Sequence, residues 1–210
     1  MSAPPTPDSL APARDDGPLA QLLGRALGPH LPVPAAALTL ASAAPLVVAV
    51  AVGGAYVSQA ALAPGVAAVV LISGAAGGRP VGRFDWTIPA MLRALEYGLL
   101  LWTAVLARGP AVRPCFALLA VLAYHHYDSV YRSRNRGEAP PGWLRRAAGG
   151  WEGRVILGYL ALLLAVSTAA MAVAAVLLGL LFVGESLVGW LAAARAPRPL
   201  AYADEEGRDE

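Results

Sequence analysis

Two long runs without a charged side chain place the strongest constraint on what this sequence can fold into. AAALTLASAAPLVVAVAV covers residues 35–52, and LGYLALLLAVSTAAMAVAAVLLGLLFV covers residues 157–183. About 20 apolar residues in a helix cross the core of a bilayer, and helices of a soluble bundle keep a polar face that these runs lack. In the whole chain 57% of residues are hydrophobic and 14% are charged, with a mean hydropathy of +0.56. The sequence therefore predicts an all-α, polytopic transmembrane helical bundle.

Breaks at glycine, proline and arginine clusters divide the chain into about six predicted spans. They cover residues 35–53, 58–75, 87–107, 112–131, 153–172 and 174–194. The last two are separated because about 42 residues of helix would be roughly 63 Å long, twice the bilayer core. Their turn is placed at Ser167 and Thr168 or just after them. Before the first span, PLAQLLGRALGPHL predicts a helix at about 18–30 that lies in the membrane interface.

Arginine placement predicts the direction of these spans, because basic loops stay in the cytoplasm. With both termini cytoplasmic, the outer loops hold only Arg108 and Arg113. We therefore expect a multi-pass protein of the inner (plasma) membrane, with one transmembrane domain at 17–195. The ends, 1–16 and 196–210, are rich in proline, alanine and charge and are predicted to be disordered tails. No basic stripe with interleaved aromatics is present, so nucleic acid is not an expected partner.

In this topology, four segments with charged and aromatic residues meet at the cytoplasmic end of the bundle. They are RFDW (83–86), LRALEYG (92–98), HHYDSVYR (125–132) and GGWEGR (149–154). In the second of them Arg93, Glu96 and Tyr97 share one helix face. A charge at the centre of a span costs about 2.5–3.5 kcal/mol, so these side chains are expected to face protein or a water-filled cavity.

The fourth span places His125, Asp128 and Arg132 on one face. His126 points about 100° away from His125 in helical projection, so the two histidines are not expected to serve one ligand. Glu185, an acid within the last span, either pairs with an arginine of this group or lies near the interface.

The residue types at this end of the bundle suit group transfer on an anionic substrate. Guanidinium groups match phosphate oxygens bidentately, and imidazole and carboxylate groups act as acids and bases. The predicted catalytic residues are His125, Asp128 and Glu96. The predicted substrate-binding residues are Arg83, Asp85, Arg93, Tyr97, His126, Tyr131, Arg132, Glu152 and Arg154.

No cofactor follows from these residues, and Mg²⁺ is the one considered. His125, Asp128 and Glu96 would supply three ligands of suitable type, but Arg93 and Arg132 would repel a dication unless an anion lay between them. No metal ligand is therefore assigned. Simpler interpretations remain open: the tyrosines and tryptophans as an aromatic belt at head-group depth, the arginines as a positive-inside signal, and Arg93 and Glu96 as a mutually neutral pair.

At RFDW, LRALEYG, HHYDSVYR and GGWEGR the chain resembles an actinobacterial integral-membrane domain of unknown function that is commonly found C-terminal to nucleotidyltransferase and CDP-alcohol phosphotransferase domains. The likeness covers about residues 17–195. The chain itself lacks the phosphotransferase motif D-G-x-x-A-R followed by G-x-x-x-D-x-x-x-D, because DDGPLAQ (15–21) supplies only Asp16 and Gly17. The resemblance implies a setting among CDP-linked intermediates, with a CDP-alcohol phosphotransferase as partner.

Two functions fit these observations. The first is a transferase-like enzyme in lipid head-group or envelope glycopolymer synthesis, with a cytoplasm-facing polar site for a phosphorylated lipid, polyprenyl or CDP-linked substrate. The alternative is a non-catalytic membrane scaffold or anchor for a head-group synthesis complex, with its charges in structural ion pairs. A transporter fits less well, because the outer halves of the spans are almost uniformly Ala, Leu and Val.

The expected partners are a membrane lipid and a phosphorylated or nucleotide-activated small molecule. Small-residue surfaces such as GVAAVV (65–70) would also allow close helix packing between two copies, as a homodimer.

Overall fold

The computed structural model describes residues 14–53, 58–78 and 82–195, and the regular structure in these ranges is helical. The α-helices are α1 Pro18–Leu27, α2 Ala35–Ala41, α3 Ala44–Gly53, α4 Ala63–Ala68, α5 Gly74–Ala76, α6 Ile88–Leu106, α7 Val112–Arg136, α8 Gly142–Ala147, α9 Gly150–Leu163 and α10 Ser167–Arg195. A π-helical turn, Val69–Ser73, joins α4 to α5, and short 3₁₀ turns cover Gly28–His30, Ala60–Leu62 and Asp85–Thr87. The predicted all-α class is confirmed.

Three segments are long and apolar enough to cross a membrane: Ala35–Val52, Asp85–Leu106 and Ser167–Arg195. They indicate a multi-pass membrane protein. A shorter apolar helix covers Ala60–Ala76, and α7 and α9 lie where two further spans are predicted. The number six and the cytoplasmic position of both termini stay predictions.

The break between α9 and α10 comes earlier than the sequence predicts. Ala165 has a left-handed backbone with φ 57°. The amide of Ala165 donates to the carbonyl of Leu162 (3.1 Å), and that of Val166 donates to the carbonyl of Ala161 (2.9 Å). This pair of bonds is a Schellman motif, which usually has a glycine at the left-handed position. Because alanine occupies it here, the sequence carries no sign of the break, and the turn predicted at Ser167 is wrong by a few residues.

The helices pack in two main pairs, α7 with α10 and α6 with α9. Leu92 and Trp151 belong to the core between α6 and α9, and Leu122 and Phe182 to the core between α7 and α10. Large apolar side chains also cover the outside of α10, where Leu180 is 70% exposed. An apolar exterior of this kind suits a helix that faces lipid.

Helix α1 packs on the turn after α5 through small residues. A Cβ atom on Gly78 would overlap the backbone of Gly24, and one on Gly28 would lie 2.7 Å from the Cα of Gly78. The glycines therefore let the two backbones approach closely. Leu22 is 63% exposed and Leu27 is 44% exposed, so the leucine-rich face predicted to lie in the membrane interface points away from the protein.

The segment before α1 is part of the folded domain. Arg14 and Asp15 are 7% and 2% exposed, although residues 1–16 are predicted from the sequence to be a disordered tail. The segment is buried because it packs closely against the backbone at Gly149 and Gly150. Both glycines have left-handed backbones there (φ 74° and 63°). Residues 14–16 therefore belong with the helices, and residues 1–13 and the tail predicted at 196–210 lie outside the described residues.

Candidate functional site

The motif GGWEGR at the start of α9 holds the segment that precedes α1. The backbone amide of Trp151 donates to the carbonyl of Asp15 (3.2 Å), and its indole Nε1 donates to Oδ1 of Asp16 (2.8 Å). The Glu152 carboxylate accepts the amide of Gly17 (3.0 Å) and another amide in the first turn of α1 (3.1 Å). Glu152, predicted to bind substrate, thus satisfies free amides at the start of α1.

A buried arginine connects this segment to α6. Arg154 donates from Nη2 to Oδ2 of Asp15 (2.7 Å) and from Nε to Oε1 of Glu96 (2.6 Å). Arg93 Nη1 lies 3.7 Å from Oε2 of Glu96. The side chains of Glu96 and Arg154 are 0% and 5% exposed. Two carboxylates that are far apart in the sequence therefore share one guanidinium group.

Both histidines of α7 approach the same carboxylate. His125 Nε2 lies 3.7 Å from Oδ1 of Asp15, and His126 Nε2 lies 3.5 Å from Oδ2. His126 Nδ1 and the hydroxyl of Tyr97 form a 2.7 Å hydrogen bond, and the His125 ring stacks on Phe182 with centroids 3.9 Å apart. Both rings approach one carboxylate although they leave α7 in different directions, because that carboxylate reaches in from another segment.

We call this set the Asp15 network. Its members are Asp15, Arg93, Glu96, Tyr97, His125, His126 and Arg154. Burial disfavours the ionised form of Asp15, but the charge of Arg154 and the two imidazoles outweigh it, so the pKa of Asp15 lies well below its usual value. Asp15 is therefore a carboxylate at neutral pH.

Several buried atoms of the Asp15 network have no hydrogen-bond partner among the described residues. They are Asp15 Oδ1, Glu96 Oε2, His126 Nε2 and Arg154 Nη1. A buried polar atom without a partner costs about 1–3 kcal/mol. The network therefore has hydrogen-bonding capacity that its own side chains do not use.

Asp128 and Arg132 form a separate cluster with α10. Arg132 donates from Nη1 and Nη2 to the two oxygens of Glu185 (2.9 and 2.6 Å), and Nη2 also lies 2.8 Å from Oδ2 of Asp128. The Tyr131 ring lies against Trp190, with centroids 5.7 Å apart. Of the two positions considered for Glu185, the structure shows the pairing with an arginine.

The three residues considered as Mg²⁺ ligands are not brought together. Asp128 lies in the Arg132 cluster, whereas Glu96 and His125 lie in the Asp15 network. Within the described ranges, the group with metal-ligand geometry is Asp15, His125 and His126. The predicted catalytic triplet is therefore divided between two clusters.

The residues of RFDW have local contacts. Arg83 is exposed, and its guanidinium lies over the ring of Phe84, 5.4 Å from the centroid. Asp85 is buried and accepts the backbone amide of Gly82 (2.8 Å). Both were predicted to bind substrate, and in the structure Asp85 stabilises the turn that leads into α6.

A cavity of about 260 Å³, with charged and amide side chains in its wall, lies next to the segment that carries Asp15. Its lining residues are Asp16, Ala20, Gln21, Gly24, Arg25, Gly77, Gly78 and Arg145. Asp16 accepts a hydrogen bond from Arg14 Nε (2.7 Å) through Oδ2. We call this the Arg25–Arg145 cavity after the two cations that line it.

Four residues near these clusters were not predicted from the sequence as site residues: Asp15, Asp16, Arg25 and Arg145. One signal was available for the first two, because an acidic pair followed by Gly17 and Pro18 is typical of a helix start. That signal places the residues at the beginning of α1, but it does not reveal that α9 receives them.

We expect Glu185→Gln to destabilise the protein more than Asp128→Asn. Glu185 accepts from both terminal nitrogens of Arg132, whereas Asp128 contacts one of them. A hydrogen bond to a charged group contributes about 1.5–3 kcal/mol. The free energy of unfolding should therefore fall by about this amount in Glu185→Gln and by less in Asp128→Asn. Thermal unfolding in detergent measures both, with the exposed Glu138→Gln as control. A larger loss for Asp128→Asn would contradict this order.

Comparison with known proteins gives a family and no activity. No curated protein and no solved structure matches the chain. The model of the family described as "Family of unknown function (DUF5941)" matches residues 5–209. Because that match covers nearly the whole sequence, the chain belongs to this family.

Proposed function

We propose that the chain is an integral membrane protein that binds a phosphorylated lipid, polyprenyl or CDP-linked substrate in the Arg25–Arg145 cavity. It would act there as a transferase-like enzyme in lipid head-group or envelope glycopolymer synthesis, at the cytoplasmic face of the plasma membrane. The observation that carries the proposal is a cavity of about 260 Å³ whose wall combines two arginines with three glycines.

The charges of the cavity favour an anionic ligand. Arg25 comes from α1 and Arg145 from α8. Asp16 is the acid in the wall, and it is already paired with Arg14 and bonded by the indole of Trp151. Two guanidinium groups thus lie in the wall, and a guanidinium group donates bidentately to phosphate oxygens.

The glycines of the wall support the same ligand class. Gly24, Gly77 and Gly78 line the cavity where α1 packs on the turn after α5. Neighbouring atoms fill the space that a side chain would take at these positions, so backbone forms the wall beside the arginines, and a compact charged head group can approach it closely.

The position of the Asp15 network supports catalysis next to this cavity. Asp16 lines the cavity, and Asp15, the preceding residue, contacts His125 and His126. Imidazoles and carboxylates are the usual general acids and bases of transfer reactions. The residue that lines the cavity is therefore the chain neighbour of the carboxylate that contacts both imidazoles.

Binding of CDP and of polyprenyl phosphate to the protein in lipid nanodiscs tests the proposal. We expect Arg145→Gln to weaken the binding of both probes at least about tenfold, since a hydrogen bond to a charged group contributes about 1.5–3 kcal/mol. Arg113→Gln is the matched control, because Arg113 is exposed in the first turn of α7, far along that helix from His125. Uncharged polyprenol should not bind. Equal affinities for wild type and Arg145→Gln would contradict the cavity as the binding site.

A non-catalytic anchor for a head-group synthesis complex is the second candidate. It is favoured by the ion pairs of two buried arginines, since Arg154 and Arg132 each lie between two carboxylates. A co-expressed CDP-alcohol phosphotransferase is the partner to test. An anchor would co-purify with this enzyme. In an assay that contains a CDP-linked lipid and an acceptor alcohol, CMP release would then require the phosphotransferase. CMP release by the chain alone would favour the transferase.

A further inference from the structure

We propose that Asp15, His125 and His126 form a binding site for one divalent transition-metal ion of the Zn²⁺ class. Each residue offers one ligand atom, and these atoms all lie within 4.8 Å of one another. The site is distinct from the Arg25–Arg145 cavity, and it holds whether or not that cavity binds a phosphorylated head group.

The distances between the ligand atoms fit a metal better than direct hydrogen bonds. His125 Nε2 and His126 Nε2 lie 3.7 and 3.5 Å from oxygens of Asp15, whereas hydrogen bonds between nitrogen and oxygen are about 2.7–3.2 Å long. Ligands about 2.0–2.2 Å from a tetrahedral Zn²⁺ ion are about 3.3–3.6 Å apart. The 3.7 Å between His125 Nε2 and Oδ1 of Asp15 is close to the spacing of two ligands around a shared ion. The 3.5 Å of His126 Nε2 is measured to Oδ2, the oxygen that Arg154 holds, and the three ligand atoms lie within 4.8 Å of one another.

Buried atoms without partners point into the site. Asp15 is 2% exposed and His126 is 9% exposed, and neither Asp15 Oδ1 nor His126 Nε2 has a hydrogen-bond partner in the described part of the chain. The other oxygen of Asp15 is already held by Arg154 at 2.7 Å. One carboxylate oxygen and one imidazole nitrogen are thus oriented by neighbours and available to a metal.

Neighbouring side chains fix both imidazole rings. Tyr97 Oη lies 2.7 Å from His126 Nδ1, and when Nδ1–H donates to that hydroxyl, the lone pair of Nε2 is left for a metal. Partners of this kind orient metal-bound histidines and raise their basicity. The His125 ring is fixed by stacking on Phe182, with an interplanar angle of 11°.

The donor set indicates the class of ion. Two imidazole nitrogens and one carboxylate oxygen suit Zn²⁺ and Co²⁺, whereas Mg²⁺ prefers oxygen ligands alone. Three protein ligands leave a fourth position open, as in catalytic zinc sites. With Arg93 and Arg154 close by, an anionic fourth ligand, a hydroxide or a phosphate oxygen, would balance the added charge.

Metal content after equilibration with ZnCl₂ tests the site, using protein purified without a polyhistidine tag. We expect about one Zn²⁺ per chain in wild type and almost none in His126→Gln, because loss of one of three protein ligands removes the site. His30→Gln is the matched control, since His30 is an exposed histidine outside the network. With Co²⁺ as the probe, wild type should show the visible absorption of a four-coordinate ion.

Tyr97→Phe gives a second measurement in case His126→Gln fails to fold. This change keeps the three ligands and removes the hydroxyl that orients His126, so Zn²⁺ affinity should fall about 10–100-fold. The proposal is overturned if folded wild type binds no Zn²⁺, or if His126→Gln binds as much as His30→Gln. Unchanged affinity in Tyr97→Phe would count against His126 as a ligand.

Discussion

Arg154→Met is expected to destabilise the protein by about 3–5 kcal/mol, the cost of leaving buried charges without their partner. Arg154 is 5% exposed and bonds to Glu96 at 2.6 Å and to Asp15 at 2.7 Å. Methionine has a similar length and no charge, so it keeps much of the packing volume. Two buried carboxylates would then face each other without the cation that lies between them.

Thermal unfolding in detergent measures this loss. At about 2–4 °C per kcal/mol for a chain of this size, Tm should fall by roughly 6–20 °C. Arg146→Met is the control, because Arg146 is exposed on the neighbouring helix α8. The double variant Arg154→Met, Glu96→Gln should recover part of the loss, since it removes one of the unpaired charges. If Arg154→Met and Arg146→Met unfold at the same temperature, the Asp15 network does not stabilise the fold.

Helix positions could be read from the sequence, because uncharged runs and charged breaks are local properties. The segments predicted at 87–107 and 112–131 correspond to α6, Ile88–Leu106, and to the first part of α7, Val112–Arg136. The end of α9 could not be read in the same way. It depends on the left-handed backbone of Ala165, and an alanine gives no sequence signal for that conformation.

The composition of the site was predictable only within one helix. Helical spacing puts Arg93, Glu96 and Tyr97 on one face, and the structure places all three in the Asp15 network. The pairing of Asp128 with Glu185 through Arg132 depends instead on which helices are neighbours. These two helices are neighbours because α10 packs along α7. The periodicity of a single helix does not indicate which other helix packs against it.

Asp15 was missed for a related physical reason. A short acidic segment rich in proline and alanine cannot fold alone, and its order here comes from the surface that receives it. That surface depends on backbone geometry at Gly149 and Gly150 and on hydrogen bonds from Trp151. The composition of the segment predicts disorder, whereas its burial depends on residues more than a hundred positions away in the sequence.

Gly150→Ala is expected to displace the Asp15 segment and to lower the free energy of unfolding by about 2–5 kcal/mol. Gly150 has φ 63°, a conformation that costs an alanine about 1–2 kcal/mol. A Cβ atom there would also overlap the backbone nitrogen and Cα of Gly17, and overpacking of this kind costs about 1–3 kcal/mol. Because Gly17 is backbone at that contact, no side-chain rotation relieves the overlap.

Gly149→Ala is the matched control for this substitution, and the difference between the two variants isolates the docking of the segment. Gly149 has φ 74°, so alanine has a comparable backbone strain there, but the nearest atom to its Cβ is the Cα of Gly153 at 3.8 Å, an ordinary contact. Thermal unfolding should therefore show a clearly larger loss of stability for Gly150→Ala.

Bound Zn²⁺ should also fall in Gly150→Ala and persist in Gly149→Ala, because only the first variant withdraws Asp15 from His125 and His126. Equal losses of stability would show that α9 does not need the close approach of Gly17, and Zn²⁺ retained in folded Gly150→Ala would remove Asp15 from the metal site.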